Sequence, residues 1–147
     1  MSEHIFELNA EWQGGRAGQG KFTTASISMA VSVPGNMGGP GVGTNPDDLI
    51  LSAAANCYMI SLAVFLEKNQ VPVQQLSMHS KATFIVDKGP VLKKIEHNPV
   101  VKLAKEIDAS SRAKAEGLFA LADKYCMVSN ALHGNVEVVI QGKILSA

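Results

Sequence analysis

The sequence has little charge, few aromatic residues and only two cysteines. Charged residues make up 18% of the 147 positions and aromatic residues 5%, and 13 basic side chains balance 13 acidic ones. A net charge of zero argues against a nucleic-acid-binding protein, which needs a basic surplus, and against a charged interaction tail. Because 46% of the residues are hydrophobic, the composition also excludes a disordered chain. The length indicates one domain over residues 1–147.

The N-terminal residues show no basic start followed by an apolar run, so we expect no secretory signal and a cytoplasmic protein. The longest uncharged stretch runs from Leu49 to Leu66, and polar residues such as Ser52 and Asn56 interrupt it. We interpret it as a buried helix and expect no association with a membrane. In the cytoplasm, two cysteines are more often free or catalytic than a structural disulfide.

Metal and nucleotide sites have weak support. The four histidines show no helical i, i+4 pairing, and the cysteines form no Cys-x-x-Cys motif. Gly15 to Lys21 approximates a phosphate-binding loop, but Phe22 lacks the magnesium-binding hydroxyl and a strand pattern follows where a helix is required. We therefore expect no bound cofactor.

Hydrophobic periodicity predicts strand, strand, helix, strand, strand, helix, strand. The first two strands, at residues 4–13 and 21–33, form a hairpin with a glycine-rich connection. The first helix starts at a cap on Thr44 or Asn45 and runs to about Lys68. The remaining elements are strands at 73–87 and 91–103, a helix from Asp108 to about Lys124, a short helical piece from Met127 through Leu132, and a last strand over 136–140. Short connections favour antiparallel pairing and hence an α+β fold.

The first helix is apolar on nearly every face, which predicts burial all round. One small domain with a single sheet is not expected to cover every face of such a helix. A partner subunit could cover the remaining face.

The two cysteines lie in different local settings. Cys57 is in the middle of the apolar helix, where a thiol is unreactive unless a cation stabilises the thiolate. Only Arg16 and Arg112 are arginines, and Arg16 lies in a glycine loop that permits close approach. Cys126 opens a short helix, whose dipole stabilises a thiolate. Electrostatics alone therefore indicates Cys126 as the more acidic thiol.

Both cysteines and Arg16 lie in segments with a distinctive sequence. These segments are Gly38-Gly39-Pro40, Gly43-Thr44-Asn45-Pro46-Asp47-Asp48-Leu49, Ala53-Ala54-Ala55-Asn56-Cys57, the Cys126-Met127-Val128-Ser129-Asn130-Ala131-Leu132 segment with Gly134-Asn135-Val136-Glu137-Val138, and the Gly14-Gly15-Arg16 loop. Together they resemble the OsmC/Ohr family, that of osmotically inducible protein C and the organic hydroperoxide resistance proteins. The resemblance covers nearly the whole chain, in the family's order.

The resemblance implies an α+β intertwined homodimer, with antiparallel sheets wrapped around two central helices and two active sites at the interface. Its members are thiol peroxidases that reduce organic hydroperoxides. By motif, Cys57 takes the peroxidatic role, Cys126 the resolving role, and Arg16 activates the thiolate. An external dithiol, from a lipoyl protein or a thioredoxin-like protein, then reduces the Cys57–Cys126 disulfide.

One position departs from the family. The glutamate that usually follows Asn-Pro and pairs with the arginine is Asp47 here, so either Asp47 reaches by a backbone shift or Asp48 replaces it. Ten residues separate Asp47 from Cys57, which is about 15 Å along a continuous helix. A shared site then requires that Arg16 spans the gap, that the helix start is bent, or that a second subunit supplies the carboxylate.

Three other functions remain open on the sequence. The first is a non-catalytic protein of the same fold that binds a small hydrophobic ligand at the dimer interface, which the Asp47 departure favours. The second is a general disulfide oxidoreductase, which the lack of Cys-x-x-Cys disfavours. The third is a structural protein with two inert thiols.

Overall fold

The N-terminal part of the chain is a three-stranded antiparallel sheet. The computed structural model describes residues 1–147, and the chain separates into one unit of residues 1–50 and another of residues 51–147. In the first unit the strands pair in the order β1-β2-β3, with the bounds Asn9–Gln13, Gln19–Thr23 and Ser28–Ser32. The predicted hairpin with a glycine-rich connection is confirmed, although residues 1–8 form no strand. The single domain stays a prediction.

One predicted strand is two strands in the structure. The prediction of a single strand over 21–33 is wrong because a turn at residues 24–27 separates β2 from β3. The Thr24 hydroxyl accepts hydrogen bonds from the backbone N–H groups of Ser26 (3.2 Å) and Ile27 (3.1 Å). A threonine side chain thus closes a turn that contains neither glycine nor proline, the residues that usually reveal a turn in a sequence.

The first helix, α1, covers Pro46–Lys68, as predicted. Asn45 caps it: the Asp48 N–H donates to Asn45 Oδ1 (2.8 Å), and Asn45 Nδ2 donates to Asp48 Oδ2 (2.9 Å). These reciprocal bonds satisfy a backbone donor that has no partner within the first turn. They also engage the Asp48 carboxylate in the cap.

Within one chain, only one face of α1 is buried. Ala54, Tyr58, Leu62 and Leu66 follow each other at four-residue spacing, and each is at most 2% exposed. By contrast, Ile60 is 65% exposed. The chain by itself thus packs against a single stripe of the helix, in agreement with the expectation that one small domain does not surround it. Burial of the remaining face by a partner subunit stays a prediction.

The second unit contains a sheet in which β4 and β5 form a long antiparallel hairpin, as predicted. Both β6 and β7 pair with β5 in parallel, a direction that the sequence pattern did not indicate. Parallel neighbours need a crossover connection, which the two helices between β5 and β6 supply. The three-residue β7 is too short to show an alternating pattern. The strand bounds are Val73–Val86, Pro90–Leu103, Glu137–Ile140 and Lys143–Leu145.

Two further helices complete the second unit, and the predicted α+β class is confirmed. Helix α2 covers Ala109–Lys124 and is capped by Asp108, whose Oδ1 accepts from the Ser111 N–H (2.7 Å). Helix α3 covers Met127–Leu132. The main core lies where α1 and α2 meet β5, and its buried residues are Tyr58, Leu62, Leu66, Val101, Leu103, Leu118, Phe119, Ala122 and Cys126.

By length and composition α1 is apolar enough to cross a membrane, and it is the one helix in the chain for which this holds. The core helix of a soluble protein meets the same criteria, so this is weak evidence for a membrane span. The contact of its buried stripe with β5 and α2 agrees with the predicted core helix.

Candidate functional site

Cys126 is fully buried at the junction between α2 and α3. It caps α3, and its sulfur accepts a hydrogen bond from the Ser129 N–H at 3.5 Å. Its own backbone N–H donates to the Asp123 carbonyl at 3.1 Å, and its carbonyl accepts from the Asn130 N–H at 3.0 Å. The backbone on both sides of this thiol is therefore fixed by local hydrogen bonds.

Burial decides the acidity of Cys126. Desolvation raises the pKa of the thiol above its ordinary value, and the hydrogen bonds from Ser129 lower it by less. The neighbouring Cys57 raises the pKa further, through a hydrogen bond and its charge. The helix start therefore does not lower the pKa of Cys126 below its ordinary value, because desolvation outweighs the hydrogen bonds from Ser129. The expectation that Cys126 is the more acidic of the two thiols stays a prediction.

Cys57 lies in α1 beside the buried stripe and is half-buried. It packs against the core cluster that contains Cys126, and both thiols are free. The structure therefore brings together two of the four predicted site residues. The accessible member of this pair is on the long helix and the buried member is at the start of the short one.

A buried polar layer lies next to this pair and was not predicted from the sequence. The rings of Tyr58 and His97 stack, with centroids 5.2 Å apart and planes inclined by 14°. The Tyr58 hydroxyl donates to the Phe119 carbonyl (3.1 Å), and His97 Nδ1 lies 2.7 Å from Ser80 Oγ. The only signal in the sequence was the position of His97 in the middle of a strand, which does not distinguish a surface histidine from a buried one.

Burial dominates the ionisation of this layer. It raises the pKa of Tyr58, with the charge of Asp123 as a further cause, so that the phenol is neutral. It lowers the pKa of His97, which the charge of Asp123 partly offsets. We therefore treat His97 as a neutral imidazole at pH 7.

Arg16 belongs to the first unit, on the exposed loop between β1 and β2. A Cβ at Gly18 would lie 2.0 Å from the Gln13 carbonyl oxygen, so this tight loop requires glycine there. Arg16 Nη2 donates to the Met37 carbonyl at the end of a short 3₁₀ turn. This turn is closed by Gly38 with φ +78°, a conformation that favours glycine.

The predicted pairing between Arg16 and Asp47 is absent from the single chain. Asp47 is half-buried in the first turn of α1 and has neither an ion pair nor a side-chain hydrogen bond. The one ion pair of the chain joins Lys94 to Glu96, at 3.2 Å. The alternative that Asp48 replaces Asp47 loses support, because its carboxylate bonds to Asn45 in the cap.

The second arginine is engaged elsewhere. Arg112 donates to the Ile144 carbonyl (3.1 Å) and to Ser146 Oγ (3.3 Å), which ties α2 to the C-terminal residues of the second unit. Of the two arginines, Arg16 therefore has more N–H donors left for a role in catalysis. Its guanidinium has five N–H donors, of which one bond to Met37 uses only one.

Comparison with known proteins identifies the family. Residues 38–141 match the family model described as OsmC-like protein. The uncharacterized protein YmaD of Bacillus subtilis strain 168 is 38% identical over 145 residues, which are 98% of this chain and 97% of that protein. The organic hydroperoxide resistance protein of Xanthomonas axonopodis pv. citri strain 306 is 24% identical over 138 residues, 92% of this chain and 93% of that protein.

A solved structure agrees with this assignment at the level of the fold. The crystal structure of the organic hydroperoxide resistance protein OsmC from Legionella pneumophila superposes with a TM-score of 0.75 at 24% identity, over 96% of this chain and 99% of that one. The resemblance of the two cysteine segments is thereby confirmed, and the chain belongs to the OsmC-like family.

Proposed function

We propose that the protein is a thiol-dependent peroxidase that reduces organic hydroperoxides to alcohols. The observation that carries this proposal is the hydrogen-bonded contact between a half-buried thiol, Cys57, and a fully buried one, Cys126, in the core of one unit. A peroxidatic cysteine needs access to an external oxidant, and a resolving cysteine needs only access to its partner. The relatives named for organic hydroperoxide resistance support the same substrate class.

In the first step the Cys57 thiolate attacks one oxygen of the hydroperoxide. The S–O bond forms as the O–O bond breaks, and the leaving alkoxide takes a proton to become an alcohol. Cys57 is then a sulfenic acid, oxidised by two electrons.

In the second step the Cys126 sulfur attacks the sulfur of that sulfenic acid. The S–S bond forms, the S–O bond breaks, and the hydroxide leaves as water with the proton that Cys126 held. Because Cys126 is already packed in the same core cluster, closure competes well with further oxidation of Cys57 to the sulfinic acid.

Arg16 is the proposed cation for this chemistry. A guanidinium stabilises a thiolate by its charge, and its planar donor fork suits the two oxygens of a peroxide. Asp47 is the proposed partner that orients it. Since α1 is continuous from Pro46, Asp47 lies about 15 Å from Cys57 along the helix axis. We therefore favour an arrangement in which a second subunit supplies the Asp47 carboxylate to the site that contains Cys57.

The proposed functional unit is a homodimer of intertwined subunits. Its support in the single chain is the exposed apolar face of α1, which includes Ile60 (65% exposed) and Val64 (40%). Apolar surface of this kind is characteristic of an interface. Cover from a second copy would complete the burial that the composition of the helix predicts.

The catalytic cycle needs an external dithiol and no resident cofactor. We propose a lipoyl protein or a thioredoxin-like protein as the reductant, and the cytoplasm as the compartment, because there a dithiol pool keeps such disulfides reducible. Apolar side chains near the thiols, such as the half-buried Met59 and Val128, favour an alkyl hydroperoxide over hydrogen peroxide.

A second candidate is a non-catalytic protein of the same fold that binds a small hydrophobic ligand at the dimer interface. Asp47 without a partner favours it, because a peroxidase of this design needs its arginine oriented. The two candidates differ in whether Cys57 is required for peroxide consumption.

The test is steady-state kinetics of the full chain with a tertiary alkyl hydroperoxide and with hydrogen peroxide, using a lipoyl or a thioredoxin system as the reductant. We expect turnover that prefers the alkyl hydroperoxide and disappears in Cys57→Ser. Turnover that is unchanged in Cys57→Ser would contradict the assignment. A preference for hydrogen peroxide would contradict the apolar substrate site.

A further inference from the structure

His97 is a buried polar group for which the proposed chemistry has no role. Its ring is 0% exposed in the middle of β5, and Nδ1 lies 2.7 Å from Ser80 Oγ. The other ring nitrogen, Nε2, has no hydrogen-bond partner. A buried polar atom without a partner is unfavourable, so a partner is expected there.

Asp123 has a buried hydrogen-bond acceptor, its Oδ1 atom, that also lacks a partner. Asp123 lies one helical turn after Phe119 in α2. The Phe119 carbonyl accepts a hydrogen bond from the hydroxyl of Tyr58, whose ring stacks on His97. The charge of Asp123 also acts on the His97 ring. When the Ser80 hydroxyl donates to Nδ1, the neutral ring carries its proton on Nε2. An unpartnered donor and an unpartnered acceptor then lie in the same buried region without forming an ion pair of 4.0 Å or less.

The two polar side chains that contact the His97 ring are already engaged elsewhere. The Tyr58 ring stacks on the imidazole, but its hydroxyl donates to the Phe119 carbonyl. Ser80 is bonded to the opposite ring nitrogen. A buried water with two polar partners is therefore the simplest group that satisfies both Nε2 and Oδ1.

His97 and Asp123 each contact one of the two cysteine segments. His97 stacks on Tyr58, the residue directly after Cys57 in α1. The Asp123 carbonyl accepts the backbone N–H of Cys126. A link between His97 and Asp123 thus connects the helix that carries the first thiol to the turn that carries the second.

We propose that His97 Nε2 and Asp123 Oδ1 hold one buried water molecule, and that this bridge sets the position of Cys126 relative to Cys57. His97 and Asp123 are then positioning residues for disulfide closure. The kinetic consequence rests on the proposed function: closure converts the Cys57 sulfenic acid and the Cys126 thiol into a disulfide and water.

Two substitutions at His97 separate the bridge from simple filling of space. His97→Asn retains a polar group opposite Ser80 but places nothing at Nε2, whereas His97→Gln places an amide close to the position of Nε2. Asp123→Ala removes the other end of the bridge. His79→Asn, at an exposed histidine of the neighbouring strand, is the matched control.

The first readout follows both oxidation steps after one equivalent of an alkyl hydroperoxide. We expect disulfide closure to slow by at least about tenfold in His97→Asn and in Asp123→Ala, because a small displacement of reacting atoms has large kinetic effects. We expect formation of the Cys57 sulfenic acid to change little, His97→Gln to recover most of the closure rate, and His79→Asn to match the parent. Equal slowing of both steps, or unchanged closure, overturns the proposal.

The second readout uses no peroxide, so it separates this inference from the proposed function. In a glutathione redox buffer, the fraction of the Cys57–Cys126 disulfide measures the effective concentration of one thiol at the other. We expect His97→Asn to lower this effective concentration, and His97→Gln to restore it, even if the protein proves inert to hydroperoxides. Equal values in the parent and His97→Asn contradict the bridge, whatever the peroxide result.

A spectroscopic measurement on the parent protein tests the proposal even where the variants fail to fold. In ¹⁵N-resolved NMR spectra, we expect the His97 proton on Nε2, protected from exchange and with a cross-peak to a bound water. A proton on Nδ1, or an Nε2–H without a water contact, overturns the proposal.

Discussion

Cys57 and Cys126 differ in the structure that surrounds each thiol, and this difference is the basis of the two chemical roles that we propose. Cys57 is half-buried in a helix of 23 residues, whereas Cys126 is fully buried as the cap of a helix of six. Under the proposed function, a small oxidant needs access only to the first thiol, and the second thiol needs access only to the first. We therefore base the proposed attacking and resolving roles on accessibility and not on the local helix dipole.

The largest expected effect comes from replacing one cysteine at a time with serine. Cys57→Ser removes the nucleophile and is expected to lower peroxide turnover by at least about a thousandfold. Cys126→Ser retains the first step but prevents closure, so the first equivalent of peroxide gives the Cys57 sulfenic acid and a second equivalent converts it to the sulfinic acid. Mass spectrometry of each variant after graded peroxide measures both outcomes. Identical behaviour of the two variants would remove the distinction between the thiols.

The next effect concerns the two arginines. Arg16→Ala is expected to slow sulfenic acid formation and alkylation of Cys57 by about 10- to 100-fold, because the thiolate loses the cation proposed to stabilise it. Arg112→Ala is the matched control, since Arg112 bonds to Ile144 and Ser146. This control is expected to lower the melting temperature and to leave the alkylation rate of Cys57 unchanged. Stopped-flow oxidation and thermal unfolding provide the two measurements, and a reversed pattern refutes the assignment.

A third effect is the pH dependence of closure. Burial raises the pKa of Cys126 above that of an ordinary thiol, so at pH 7 the resolving sulfur is protonated. The rate of disulfide closure is therefore expected to increase with pH through the ordinary thiol range and to level off only above the raised pKa. Rapid-quench oxidation at a series of pH values measures this. A closure rate that is independent of pH between 7 and 9 would contradict a buried, protonated resolving thiol.

The same raised pKa sets the sign of a stability change. The pKa of Cys126 is higher in the folded chain than in the unfolded chain. The free energy of unfolding therefore decreases as the pH rises from the pKa of the unfolded chain through the pKa of the folded chain. The contribution is fully present below the pKa of the unfolded chain. Urea unfolding of the parent and of Cys126→Ser at neutral and alkaline pH checks the sign. The alkaline loss of stability is expected to be smaller in the variant.

The smallest expected effect tests the core beneath the thiols. Tyr58→Phe removes the hydroxyl that donates to the Phe119 carbonyl, and it leaves that buried carbonyl with one partner fewer. The expected loss is about 1 kcal/mol of unfolding free energy, the net value of one hydrogen bond. Denaturant titration measures it. Leu62→Ala in the same stripe is the comparison, with an expected loss of about 2–5 kcal/mol because it leaves a cavity.

Much of the fold was predictable from local pattern. The cap at Asn45, the end of α1 at Lys68 and the cap at Asp108 all follow from short-range chemistry, because the residues involved lie within one or two turns of each other. The turn at Thr24 was missed because its closing group is a hydroxyl that also occurs in strands. The parallel pairing of β6 with β5 depends on contacts between residues about forty positions apart, which no local periodicity encodes.

The candidate site was predictable in part. The motifs around Cys57 and Cys126 predicted a redox pair, and the structure places both cysteines at one core; the redox role itself stays a prediction. The buried state of Cys126 and the layer of His97 and Tyr58 were not predictable, since they depend on how α1 and α2 pack on the sheet. The roles of Arg16 and Asp47 stay predictions, and a second subunit is part of the proposal that concerns them.

The central claim is that Cys57 and Cys126 form a redox couple driven by peroxide. The most direct measurement is peptide mapping of the reduced protein after one equivalent of an alkyl hydroperoxide, with thiol alkylation before digestion. The account predicts loss of two thiols per peroxide and a disulfide-linked pair of peptides that contain Cys57 and Cys126. Both thiols recovered free, or Cys57 oxidised to the sulfinic acid beside a free Cys126, would contradict it.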